Sequence, residues 1–122
     1  MAQPLFEKVA FIGLGLIGSS LARVMLAENL SRRIVASTRS EKTLQDALEL
    51  GLIEQGFNNP VDAVQGADLV VLALPVQATE KVLRLIQPHL ADNVILTDVG
   101  STKASVVAAA KAVIYLPITK SI

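Results

Sequence analysis

Residues 8–22 read KVAFIGLGLIGSSLA, and this stretch constrains the fold more than any other part of the chain. An unbroken apolar run, Val9-Ala10-Phe11-Ile12, leads straight into Gly13-x-Gly15-x-x-Gly18. A helical pattern follows at once, with apolar residues at Ile17, Leu21, Val24 and Met25. That spacing marks one face of an amphipathic helix. The continuous apolar run suits a strand of a parallel sheet buried on both faces. A glycine turn between such a strand and a helix N-terminus is a pyrophosphate cradle, because backbone amides and the helix dipole face the anion. In it Gly13 permits the sharp turn, Gly15 lets the backbone approach the phosphates without a Cβ, and Gly18 lets the helix pack close on the strand. A GxGxxG string alone is weak, since glycines also punctuate ordinary loops. Strand, glycines and helix in register make it specific, so Gly13, Leu14, Gly15, Leu16, Ile17 and Gly18 are expected to hold a dinucleotide.

The rest of the chain alternates strand and helix patterns with no composition shift that would mark a linker. Strands are expected at about 8–13, 33–37, 54–57, 69–74 and 94–97. Helices are expected at about 17–29, 41–50, in a short piece after Pro60 that Gly66 breaks, in a segment after Pro75, and at about 102–111. Ser40 is a candidate N-cap and Gly51 a candidate stop for the second helix. Val82, Leu83 and Ile86 form the buried face of the helix that Pro88 ends. A final apolar run covers 112–118. Right-handed crossovers between such units give an α/β doubly wound parallel sheet in three layers, and residues 1–122 form one dinucleotide-binding domain.

Composition narrows the partners. Hydrophobic residues make up 52% of the chain but aromatics only 3%, so the core must be built from Val, Ile, Leu and Ala. Eleven basic and eleven acidic residues leave no net charge and no basic stripe for nucleic acid. With no cysteine, a disulfide framework, a thiolate metal site and a cysteine nucleophile are all excluded, which fits a cytoplasmic protein. No apolar run is long enough for a membrane span, and MAQPLFEK lacks the pattern of a signal peptide.

Ligands of doubly wound sheets bind beyond the carboxyl ends of the strands, so the loops there carry the remaining candidates. The second strand ends in Ser37, Thr38, Arg39 and Ser40, where an NAD-specific site would place Asp or Glu. Hydroxyls and a guanidinium bind a 2′-phosphate through charge-assisted hydrogen bonds, and a carboxylate would repel it. The expected cofactor is therefore NADP, with NAD as the alternative. Leu74, Pro75 and Val76, after the apolar strand, are expected beside the ribose and nicotinamide. The cluster Thr97-Asp98-Val99-Gly100-Ser101-Thr102-Lys103 puts hydroxyl, carboxylate and ammonium groups at one strand end, which favours a site over a plain helix cap.

GLGLIGSSLA at 13–22, DLVVLALPV at 68–76 and TDVGSTK at 97–103 together closely resemble the prephenate/arogenate (cyclohexadienyl) dehydrogenase family, over about 8–111. TDVGSTK is the discriminating motif. The resemblance implies a Rossmann fold and oxidative decarboxylation of prephenate or arogenate in tyrosine biosynthesis, with hydride passing to the nicotinamide. It implies that Ser101 contacts the substrate's ring hydroxyl as the catalytic residue, with Lys103 also in the substrate site. Asp98 and Gly100 would shape that loop beside the cofactor.

The chain departs from the family in two respects. Family members carry a histidine in a Gly-His-Pro segment after the next strand. Here the only histidine is His89, in QPHL, read as a solvent-facing helix-end residue. The family's C-terminal helical domain, which completes the substrate site and the dimer, is expected to be missing, and the tail from about 113 departs from the family pattern. The chain is therefore expected to bind cofactor without turning over substrate alone, and to self-associate or dimerise through the face left uncovered. Two alternatives stay open at this point: a non-catalytic NADP(H)-binding regulatory module, and a dehydrogenase of the hydroxyacid or pyrroline-carboxylate type.

Overall fold

Strands that are apolar on both sides need helices on both sides. The computed structural model describes residues 5–98, with 16, 17, 76 and 98 described by backbone alone. The element order is β1 (Phe6–Ile12), α1 (Gly15–Ala27), β2 (Ser31–Ser37), α2 (Glu41–Glu49), β3 (Gln55–Phe57), α3 (Pro60–Val64), β4 (Leu69–Leu72), α4 (Val76–Ile86) and β5 (Ile95–Asp98). A 3-10 turn, Gln87–His89, joins α4 to β5. The sheet order is β3-β2-β1-β4-β5, and every described pairing is parallel.

The chain runs outward from β1 through β2 to β3, then crosses back to lay β4 on the other side of β1. Right-handed crossovers in both directions put α1 and α2 on one face and α3 and α4 on the other. The core divides accordingly. Val9, Phe11, Ile34, Ala36, Leu69 and Val71 pack with Ala22 and Met25 of α1 and with Leu44 and Ala47 of α2. The alternate residues Ala10, Ile12, Val35, Val70 and Leu72 pack with Ala63 and Val64 of α3 and Ile86 of α4. The expected doubly wound, three-layer sheet is the observed fold.

Several boundaries differ from the sequence reading. Strand β1 begins at Phe6 and ends at Ile12, because the backbone turns at Gly13 with φ +82°. Helix α1 begins at Gly15 rather than near 17, so Leu16, Ile17 and Gly18 all fall in its first turn or just after. Val24 does not belong to the buried stripe; it is 51% exposed, and Ala22 takes the place beside Met25. Strand β2 starts at Ser31, since Arg32 and Arg33 extend from it to ion-pair with Glu7 and Glu54 in solvent. Strand β4 stops at Leu72; the Ala73 amide still donates to the Ile12 carbonyl at 2.9 Å, and Pro75 then caps α4. Helix α4 ends at Ile86, and Pro88 sits within the 3-10 turn rather than at the helix end. Strand β5 is shifted by one, to Ile95–Asp98. Ser40 caps α2, its hydroxyl oxygen accepting from the Thr43 amide at 3.2 Å. The helix expected at 102–111 and the apolar run at 112–118 lie outside the described residues.

At the amino end of the sheet, Asp68 joins three strands. Its two carboxylate oxygens accept from the Glu7 and Lys8 amides, each at 2.8 Å. Its own amide donates to the Lys8 carbonyl, and its carbonyl accepts from Ile95. Nearby, the Lys8 ammonium donates to the Gln65 carbonyl, and burial together with the adjacent Arg33 pushes its pKa below the ordinary lysine value. The Asp68 contacts set the register of β1 against β4, and so align the strand ends at the far, carboxyl side of the sheet. Hydrogen bonds to a charged acceptor contribute about 1.5–3 kcal/mol each before partial exposure weakens them. Asp68→Ala is expected to lower the unfolding free energy by roughly 2 kcal/mol, read as a lower denaturant midpoint with unchanged slope.

Candidate functional site

The carboxyl ends of β1, β2 and β4 meet around the Gly13 turn. The Gly13 amide donates to the Ser37 carbonyl at 2.7 Å, which ties the turn to the end of β2. On the other side the turn presses against the end of β4: a Cβ at Gly13 would stand 2.5 Å from the Ala73 carbonyl oxygen and 2.9 Å from a Leu74 methyl. Any side chain there would push the two strand ends apart. Gly18 acts by closeness as well, since a Cβ on it would meet the Ala73 Cβ at 3.1 Å. Gly15 differs. It takes φ +52°, and nothing lies within 4 Å of where its Cβ would be. The space in front of it is open, and the first turn of α1 faces that space with no side-chain cap and no acidic residue. Uncapped first-turn amides and the positive end of the helix dipole suit an anion.

This turn forms the floor of a groove of about 980 Å³. Small-molecule sites generally range from about 300 to 1,000 Å³, so the groove has room for an extended ligand. Ile12, Gly13, Leu14 and Gly15 line the floor, and Ser37, Thr38 and Arg39 form the lip at the end of β2. Ala73, Leu74 and Pro75 lie at the end of β4, and α4 supplies a further wall. Thr38 is fixed by its hydroxyl oxygen, which accepts from the Ser40 amide at 3.2 Å. Arg39 is exposed and makes no ion pair with any described residue. No carboxylate is present in the Ser37–Ser40 segment.

The structure thus brings Gly13, Leu14, Gly15, Ser37, Thr38, Arg39, Leu74 and Pro75 onto one groove. Gly18 stands behind the floor as a packing contact. Ser40 is not among the lining residues, and its hydroxyl oxygen caps α2. Leu16, Ile17 and Val76 are placed by backbone in the first turns of α1 and α4, and Asp98 closes β5 opposite Leu72. Gly100, Ser101 and Lys103 lie outside the described residues. His89 is exposed in the 3-10 turn after α4. It therefore lies at the amino end of the sheet, away from the groove.

The sequence reading missed one side of the groove. Asn58 and Pro60, before α3, line it, as do Gln77, Ala78, Lys81, Val82 and Leu85 of α4. A signal was available: Ala78, Val82 and Leu85 repeat at i, i+4 and i+7, a second apolar stripe beside the one packed on the sheet.

Comparison with known proteins bears on the fold and the family. The model of the prephenate dehydrogenase nucleotide-binding domain matches residues 21–119. A cyclohexadienyl dehydrogenase of Zymomonas mobilis is 40% identical over 102 residues, covering 84% of this chain and 35% of that protein. Arogenate dehydrogenase of Synechocystis superposes with a TM-score of 0.68 at 30% identity, covering 86% of this chain and 37% of the other. Prephenate dehydrogenase from A. aeolicus, solved with hydroxyphenyl propionate and NAD+, gives a TM-score of 0.71 at 23% identity over 87% of this chain and 38% of the other, a likeness of fold. The chain spans a little over a third of the length of these relatives. The chain belongs to the family of prephenate dehydrogenase nucleotide-binding domains.

Proposed function

We propose that this chain is the cofactor-binding part of a cytoplasmic prephenate or arogenate dehydrogenase, and that it takes NADP in preference to NAD. The observation that carries the cofactor choice is Arg39. Arg39 lines the groove at the end of β2, with no ion pair among the described residues, in a segment with no carboxylate. A 2′-phosphate brings about two negative charges and several acceptor oxygens to that lip, and Arg39 and Thr38 offer donors for them. Ser37 supports the lip from within the sheet, and Ser40 holds the start of α2 beside it.

The pyrophosphate rests on the turn from Gly13 to Gly18. The open space in front of Gly15 supports this fit, since it is where a phosphate oxygen would approach the backbone. Leu14 closes the turn from below, and Leu16 and Ile17 continue the first turn of α1. Leu74, Pro75 and Val76 run beside the ribose and nicotinamide, and Asp98 with Gly100 borders the same end. When bound, the cofactor supplies a hydride acceptor for a ring that loses carbon dioxide and becomes aromatic. Ser101 and Lys103 are assigned to the substrate, Ser101 as a donor to its ring hydroxyl. The assembled enzyme is expected to self-associate. No described helix is long and apolar enough to cross a membrane.

Parallel calorimetric titrations with NADP+ and NAD+ test this reading. NADP+ is expected to bind at least about tenfold more tightly, the worth of one charge-assisted contact. NAD+ binding as tightly or more so would overturn the cofactor choice and leave the cradle standing. Arg39→Ala is expected to reduce the difference by about tenfold by weakening NADP+ alone. Gly15→Ala probes the cradle itself: it places a methyl in the open space and weakens both cofactors by about tenfold or more, while the left-handed backbone costs only about 1–2 kcal/mol of stability.

A further inference from the structure

We propose that Lys81 is a second determinant of cofactor choice, a cation that meets the 2′-phosphate of the adenosine ribose from the α4 wall of the groove. The inference rests on the reading that the groove takes a dinucleotide with its adenosine end at β2. It adds a residue that neither the glycine turn nor the β2 lip contains.

Three observations carry it. The first is position on the helix. At about 100° per residue, Ala78, Lys81, Val82 and Leu85 occupy one arc of α4, and all four line the groove. The full α4 lining spans about 200°, from Glu80 at one edge to Val82 at the other, and Lys81 stands at its middle. The second is pairing. Arg84 donates to Glu80 at 2.8 Å across one helical turn, so that guanidinium is already compensated. Lys81 is exposed and has no ion-pair partner among the described residues. The third is charge. The described lining holds Arg39, Lys81 and Arg84 against Glu80, so the groove is positive in a chain whose formal net charge is zero. A groove with low-dielectric walls focuses such a field on an anion inside it.

The chemistry of the ligand separates Lys81 from Arg39. A planar guanidinium meets phosphate in a fixed two-donor geometry, while an ammonium on a flexible stem acts as a point charge and tolerates a range of positions. Arg39 on the short loop after β2 orients the phosphate. Lys81, about 7 Å along α4 from its start, reaches over from the helix with its four-carbon stem. Leu85, one turn on, gives the base an apolar surface: it is 52% exposed although it lines the groove. NAD lacks the 2′-phosphate, so Lys81 finds no partner when NAD is bound.

The test uses the full chain and its Lys81→Gln and Lys81→Arg variants, titrated with NADP+, NAD+, adenosine 2′,5′-bisphosphate and ADP. Lys81→Gln is expected to weaken NADP+ and the bisphosphate by about five- to tenfold, and to change NAD+ and ADP by less than about twofold. Lys81→Arg retains most of the affinity. The difference between wild type and Lys81→Gln shrinks from 0.1 M to 1 M salt, as the Debye length falls from about 10 Å to about 3 Å. Equal weakening of ligands with and without the 2′-phosphate would overturn the proposal, because Lys81 would then act on the shared part of the cofactor or on the groove's shape. No change with any ligand would also overturn it and make Lys81 a solvated surface residue. The ratio between ligand pairs is the readout, so the result stands apart from the wild-type preference. If wild type prefers NAD+, or Arg39→Ala leaves its preference unchanged, the cofactor reading fails, while a Lys81-dependent ratio would still assign the residue.

Discussion

The approach of the Gly13 turn to the Ala73 carbonyl is the contact on which the rest of the arrangement depends. At this point the chain reverses its winding, with β2 on one side of β1 and β4 on the other. The Gly13 amide bonds to the end of β2, and the Ile12 carbonyl accepts from the start of the loop after β4. A side chain at Gly13 would lie 2.5 Å from a backbone oxygen, which cannot swing aside as a flexible side chain can. Only glycine lets three strand ends close around one turn. That closure leaves Gly15 facing open space and sets the Arg39 loop, the Leu74–Pro75 segment and α4 around a single groove. The Asp68 bonds at the opposite end hold the same strands in register.

Much of this is legible in the sequence, for reasons of periodicity and sterics. Val9 to Ile12 and Leu69 to Leu72 are uniformly apolar because both their faces are covered. The glycine spacing encodes a turn whose requirements are geometric. Ser40 is readable as a cap because a hydroxyl before a helix has a donor within reach. The boundaries proved harder to read. The start of α1 at Gly15 is hidden because glycine is a poor helix former, and only the tertiary closure at Gly13 makes the helix begin there. Val24 fits the helical repeat and is nevertheless exposed, since Ala22 is the residue small enough to sit flush against the sheet.

The α4 wall is harder to read for a different reason. Its core-facing stripe, Val82, Leu83 and Ile86, satisfies the usual amphipathic pattern, which removes any prompt to look for a second face. Ala78, Lys81 and Leu85 reach the groove only because β4 returns beside β1 and sets α4 over the switch point. That placement is a property of topology, which a local pattern does not contain. Ser40 shows the converse. Local sequence puts it beside Thr38 and Arg39, yet its hydroxyl is engaged by the helix it begins.

The pyrophosphate of a dinucleotide is proposed to rest on the backbone between Gly13 and Gly18. The most direct measurement is a residue-resolved map of backbone amide shifts by heteronuclear NMR as NADP+ is added to the isotope-labelled chain. The amides of Gly13, Gly15 and Gly18 and those of Thr38 and Arg39 should move together with one saturation curve, with those around Asp68 and His89 unmoved. Shifts confined to other surfaces, or saturation that leaves the glycine amides in place, would contradict the account.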